Sequence, residues 1–153
     1  MAELLLDYGA DPNAVGQGTL FTALQSAVCR RNIKLVEFLI KRGADGRAPA
    51  LRFQDDKTGI WLCGYSALQS AAYAGDVGIA VILIANAADV NASYGEGGTP
   101  LECAAKHGSL IIAQVLLSAG VQITGEGHDA YNRAIEKAKA NKHFAIAKFL
   151  EQN

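Results

Sequence analysis

The side chains that could do chemistry in this chain are few and scattered. Asp55, Asp56, Tyr65, Tyr73, His107, His128 and Asp129 would offer acid–base pairs to a small molecule if one groove gathered them. Nothing supplies a nucleophile with a neighbouring base at a recognised spacing, and any polar groove contains such residues. The preferred reading is that the chain is not an enzyme. Were it one, Asp55, Tyr65, Tyr73, His107 and Asp129 would be the catalytic candidates. His107, His128 and His143 stand far apart, although stacking of the chain could bring the first two together. No metal and no cofactor is expected. Tyr94-Gly95-Glu96-Gly97-Gly98 is rich in glycine but lacks a Lys-Ser/Thr ending and a preceding strand, so it reads as a hairpin turn and not a phosphate loop. The aromatic residues are more telling. Phe21, Phe53, Trp61, Tyr65, Tyr73 and Tyr94 include several that core packing does not demand, and Tyr, Trp and Arg are the usual carriers of binding energy.

Composition narrows the classes. With 153 residues, one domain with a sizeable core is expected. Half the residues are apolar but only 7% are aromatic, so the core should be built of Ala, Leu, Ile and Val. Fourteen Lys+Arg against fifteen Asp+Glu leave a net charge of −1, which argues against non-specific binding of nucleic acid or an anionic membrane. No apolar run approaches the roughly 20 residues of a membrane span, and the N-terminus lacks the basic start of a secretory signal. Three widely spaced cysteines form no CxxC and no even framework, which points to a reducing compartment, cytoplasmic or nuclear.

The elements that must position these residues repeat. Thr22-Ala23-Leu24-Gln25-Ser26-Ala27 returns as Ser66-Ala67-Leu68-Gln69-Ser70-Ala71 and as Thr99-Pro100-Leu101-Glu102-Cys103-Ala104, and weakly as Arg133-Ala134-Ile135-Glu136-Lys137-Ala138. The intervals are 44, 33 and 34 residues. Asn32, Asp76, Ser109 and His143 fall at the same spacing, and the first three are favoured helix N-caps. Gly9, Gly43, Ala87 and Gly120 form a column of helix stops, in which Ala87 should be the least comfortable. Gly-Ala-Asp-x-Asn occurs at 9–13, and 87–91 repeats it with Ala87 in place of the glycine. A period near 33 carrying a Thr-Pro-Leu-His-x-Ala-like hexamer resembles the ankyrin repeat. The likeness covers essentially the whole chain, and Gln in place of the usual His resembles the variant of fungal-type arrays. It implies an all-α solenoid of paired antiparallel helices with β-hairpin fingers, one finger lengthened.

Taken in order, residues 1–13 read as a partial repeat, an outer helix at 2–8 without its inner partner. A fragment of a longer array is the favoured explanation, and a true start with a ragged end competes with it. Residues 14–45 form a repeat with an inner helix at 23–30 and an outer one at 33–41. Residues 46–89 form a repeat that carries eleven residues beyond the standard 33, read as a hairpin of 51–54 and 60–63 around a turn at 55–59; a loose loop is the alternative. Its outer helix, 78–86, has no charged residue, so either something covers it or its outer face is weakly solvated. Residues 90–122 form a repeat with Pro100 in a helix first turn. Residues 123–153 form a capping repeat, with an inner helix at 131–141 whose charge suits a true end.

The resemblance also implies the work. Finger tips and the exposed side of the inner helices form a concave, preorganised groove for another protein. The family's variable positions fall on Thr19, Phe21, Ser26, Cys29 and Arg30; on Trp61, Cys63, Tyr65, Ser70 and Tyr73; on Ser93, Tyr94, Glu96, Cys103, Lys106 and His107; and on His128, Asp129, Asn132, Lys137 and Asn141. Phe21, Arg30, Phe53, Trp61, Tyr65, Tyr73, Tyr94, Glu96, Lys106 and His107 are the binding candidates. Phe53 and Trp61 have a competing role as mere anchors of the long hairpin. The runner-up function is a small-molecule-binding protein or enzyme whose groove is roofed by the 47–63 finger. A third is homotypic assembly, such as a homodimer, through the uncharged outer helix or the ragged N-terminus.

Overall fold

The computed structural model describes residues 6–15, 21–48, 52–54, 61–123 and 128–153; of 52–54, 61–63, 96 and 128 it describes the backbone alone. Leu6 and Asp7 are helical, and four helix pairs follow them. The pairs are α1 (Ala23–Cys29) with α2 (Ile33–Lys41), α3 (Ala67–Ala74) with α4 (Val77–Ala85), α5 (Pro100–His107) with α6 (Leu110–Ser118), and α7 (His128–Ala140) with α8 (Phe144–Glu151). The inner helices α1, α3, α5 and α7 pack each on the next, and the outer helices form a second row. The inner row packs more closely than the outer. Alanine makes that possible: Ala27, Ala71, Ala104 and Ala138 are almost wholly buried between inner helices, while Leu39, Ile79, Leu83, Ile112 and Leu116 fill the space behind them.

The hexamers begin helices for a local reason. Thr22, Ser66 and Thr99 each accept a hydrogen bond from the backbone N–H three residues on, and the side-chain oxygens of Gln25, Gln69 and Glu102 accept one in turn from the cap's own N–H. Pro100 takes the first-turn position, where no N–H is needed. The fourth hexamer does not act in this way. α7 starts at His128, so 133–138 lie inside it; Arg133 has no short oxygen side chain with which to cap a helix. Asn32 and Asp76 cap α2 and α4 through their side chains, but Ser109 makes no such bond to α6.

The helix stops share one backbone shape. Gly9, Gly43, Ala87 and Gly120 have φ of 85°, 89°, 63° and 94°. Ala87 therefore bears a left-handed strain that its glycine counterparts avoid. Ala87→Gly should stabilise the chain by a few tenths to about 1 kcal/mol in chemical denaturation; a loss of stability would mean that the turn is not strained. A second left-handed column ends the inner helices: Arg31, Gly75, Gly108 and Lys142, with φ of 54°, 69°, 83° and 63°.

Gly-Ala-Asp-x-Asn ties neighbouring repeats. Asp11 and Asp89 accept from the N–H of Asn13 and Asn91. Asn13 Nδ2 then donates to Gly43 O at 3.0 Å, and its Oδ1 accepts from Asp45 N at 2.7 Å. Asn91 reaches Gly120 O and Gln122 N in the same manner. Arg47 stands in that asparagine's place and donates from Nε to Ala87 O at 3.1 Å.

The described part of the long finger pairs as a hairpin. β1 (Arg52–Gln54) pairs antiparallel with β2 (Trp61–Cys63), Arg52 opposite Cys63 and Gln54 opposite Trp61. The turn expected at 55–59, Asp55 included, lies outside the described residues. Among the described residues no helix is long and apolar enough to cross a membrane.

Candidate functional site

The third finger shows how a groove wall is made. Tyr94 and Gly98 bridge across a single 3-10 turn, Gly95–Gly97, so the glycine-rich run is a finger tip. Two of its glycines are required by what lies beneath. A Cβ on Gly97 would enter the Tyr65 ring, and one on Gly98 would enter the Glu102 carboxylate. Gln69 fastens this tip to α3 by donating from Nε2 to the carbonyls of Tyr94 and Gly98. One repeat further along the same position is Glu102, which cannot donate. The last inner helix supplies donors to it instead. Arg133 Nη2 lies 3.1 Å from Glu102 Oε1, and Lys137 Nζ lies 2.6 Å from Oε2 and 3.2 Å from Gly97 O. Glu102 is 1% exposed, so this buried carboxylate joins α5, α7 and the finger tip.

On that frame stands a row of rings. Tyr65, just before α3, lies 5.6 Å from Tyr73 at the end of α3, at 39° between planes. Tyr73 in turn lies 3.8 Å from the His107 ring at the end of α5, at 49°. Tyr65 and His107 are half-buried, whereas Tyr73 is 47% exposed. Two of its neighbours hold the ring in place and one face meets solvent, the arrangement of a preorganised contact residue. Lys106, next to His107 in the chain, is exposed.

His107 is under tension of a chemical kind. Its Nε2 is buried with no hydrogen-bond partner among the described residues. Desolvation, then the charges of Lys106 and His143, hold its pKa below the ordinary value. The folded state thus takes up the proton less readily than the unfolded chain does. The His107 contribution to stability is intact above about pH 6.5 and is lost as pH falls below that value. The melting temperature of the native chain should drop more steeply between about pH 7 and pH 5 than that of His107→Gln; parallel curves would show that His107 does not carry the difference.

The structure brings together part of the expected set. Tyr65, Tyr73 and His107 meet, with Lys106 alongside. Asp129 is exposed in the first turn of α7 and makes no hydrogen bond or ion pair with them among the described residues, and Asp55 lies outside those residues. Phe21 is half-buried ahead of α1, Arg30 is exposed at the end of α1, and Tyr94 is half-buried in the third finger. Phe53 and Trp61 are placed by their backbones on β1 and β2, and Glu96 by its backbone in the finger tip. Among the described residues the imidazole acting on His107 is that of His143; the side chain of His128 lies outside them. Three members of the wider strip are spent inside. Ser70 and Cys103 are buried, and Lys137 serves Glu102. Cys103 points its thiol at Gly97 O, and burial pushes its pKa up to about 12, so it is an inert core thiol. The Arg133–Glu102–Lys137 network went unforeseen. Its signal was Glu at a position that is Gln in the two preceding hexamers, with two cations one repeat later.

Among protein families, the one described as Ankyrin repeats (3 copies) matches residues 47–126 and 68–152, and the single Ankyrin repeat matches residues 19–49. No curated protein matches the sequence.

Proposed function

The chain belongs to the ankyrin repeat family, and from that premise we propose that it is a binding module that holds another protein along its inner helices and fingers. Ankyrin repeats are generally protein–protein interaction modules and typically non-catalytic. The repeats are taken as 14–45, 46–89, 90–122 and 123–153, with 1–13 a partial unit. The observation that carries the reading is the Tyr65–Tyr73–His107 row, a set of touching rings with its middle member half in water. Phe21, Arg30, Phe53, Trp61, Tyr94, Glu96 and Lys106 extend the contact surface. Rings held before the partner arrives lose little freedom on binding, so buried area converts more fully into affinity. A reducing compartment, cytoplasmic or nuclear, suits the cysteines.

The orphaned nitrogen of His107 favours one second reading, a small molecule held in the groove under the 47–63 finger. A pull-down from native extract, run beside a thermal-shift screen of metabolites, separates the two. The protein-binding reading expects a discrete protein retained by the native chain and lost with Trp61→Ala, whose circular dichroism stays unchanged. A metabolite that raises the melting temperature, with no protein retained, would replace that reading with the second.

A further inference from the structure

The groove is not the only organised surface. Each inner helix hands over to its outer partner through a tight turn, and the four turns line up along one edge of the array. Residues 29–31, 73–75, 106–108 and 140–142 form the inner side of that edge. They contain Arg30, Arg31, Lys106 and Lys142, and no acid. Arg31 is neutralised by Asp76 at 3.2 Å. Arg30, Lys106 and Lys142 are exposed and have no ion pair among the described residues. In a chain of net charge −1, this is a local and uncompensated line of cations.

The outer side of the same edge is apolar. Ile33, Ile111 and Phe144, within the first two positions of α2, α6 and α8, are 40%, 60% and 66% exposed. They form a row because the turns touch. Ile33 Cδ1 lies 3.5 Å from where a Cβ on Gly78 would stand, and the His143 ring closes on Gly108. Between the second and third turns is a cleft of about 310 Å³ lined by Gly75, Val77, Gly108, Ser109, Leu110, Ile111 and Ile112. Single exposed aliphatic residues are ordinary, but a row of them bordered by unpaired cations is an amphipathic strip.

We propose that this edge is a second docking surface, which shares Arg30 and Lys106 with the rim of the groove but adds Lys142 and the apolar row, and that it takes an acidic amphipathic segment of another protein. Charge decides the occupant. Carboxylates along one side of a helix would meet Arg30, Lys106 and Lys142, while apolar residues at helical spacing enter the Ile33–Ile111–Phe144 row. A second copy of the chain is a poor occupant, because a two-fold contact would set the same cations against each other.

The test uses the full chain and fluorescence anisotropy. The probe is a labelled amphipathic peptide about 18 residues long, roughly 27 Å as a helix, with Leu and Phe on one face and Glu on the other. A Lys-for-Glu counterpart and a short DNA duplex are run beside it. The acidic peptide alone should bind saturably, and more weakly as salt rises. The combined Arg30→Glu, Lys106→Glu and Lys142→Glu variant should weaken it by at least about tenfold, and so should Ile111→Ser with Phe144→Ser. Trp61→Ala, which alters the groove and lies on β2 outside the edge, should leave it within about twofold, so a failed groove and a failed edge give different results. Circular dichroism checks each variant's fold, and the salt dependence of the native chain needs no variant at all. Absence of saturable binding, equal binding of the basic peptide or the duplex, or indifference to both sets of substitutions would overturn the proposal.

Discussion

Glu102→Ala should lower stability in urea denaturation by about 3 kcal/mol, and Glu102→Gln by about 1. The alanine variant removes three things together. The reciprocal cap on α5 loses its returning bond to Thr99 N, which alone is worth about 1 kcal/mol. Arg133 and Lys137 lose the carboxylate that holds α7 against α5. A buried side-chain volume is left empty. The loss stays below that of a fully buried pair because Arg133 is 49% and Lys137 28% exposed, so both can turn to water. Glutamine keeps the shape and the cap, as Gln69 and Gln25 do one and two repeats earlier. Equal losses for the two variants would show that charge, and not shape, sets the cost; a loss well under 1 kcal/mol for both would remove the network from the account.

Tyr73→Ala should weaken the partner's Kd by about 30-fold, roughly 2 kcal/mol, while moving the melting temperature little. The ring is half in water, so its removal opens no core cavity. Its neighbours Tyr65 and His107 would lose a packing surface on one side each. Tyr73→Phe should retain most of the affinity if the ring face makes the contact. Val81→Ala, on the exposed outer side of α4, should leave the Kd within about twofold. Titration of the partner recovered by pull-down checks all three. A Tyr73→Ala variant that binds like the native chain would move the contact surface elsewhere.

Much of the fold was legible because the repeat makes each local rule recur. A Thr or Ser with Gln or Glu three residues on is a cap wherever it stands, and three hexamers behave so. The fourth could not be read by similarity, since Arg133 has no capping oxygen and α7 runs through it from His128. Ala87 was legible by its column rather than its type: position required a left-handed residue, and φ is 63°. Arg31 and Lys142 share that shape but hide it, because neither residue type announces a positive φ. Ser109 misled in the opposite way, being a good cap by type that makes no side-chain cap.

The candidate site was legible by residue type more than by partnership. Aromatic residues outside the helical core pattern pointed to Tyr65 and Tyr73. That their rings touch, and that His107 continues the row, depends on how far α3 stands from α5, which the small side chains Ala71 and Ala104 set. Cys103 and Lys137 show the cost of reading type without depth. Both sit at positions that usually face a partner, yet one lies under Gly97 and the other reaches inward to Glu102.

Photo-crosslinking tests the central claim most directly. A benzophenone amino acid placed at position 73, at the end of α3, is compared with one at position 114, on the exposed outer side of α6. Irradiation with the recovered partner should give a single discrete adduct from position 73 and little from position 114. An adduct from position 114 alone, or equal yields from both, would contradict a partner held along the inner helices.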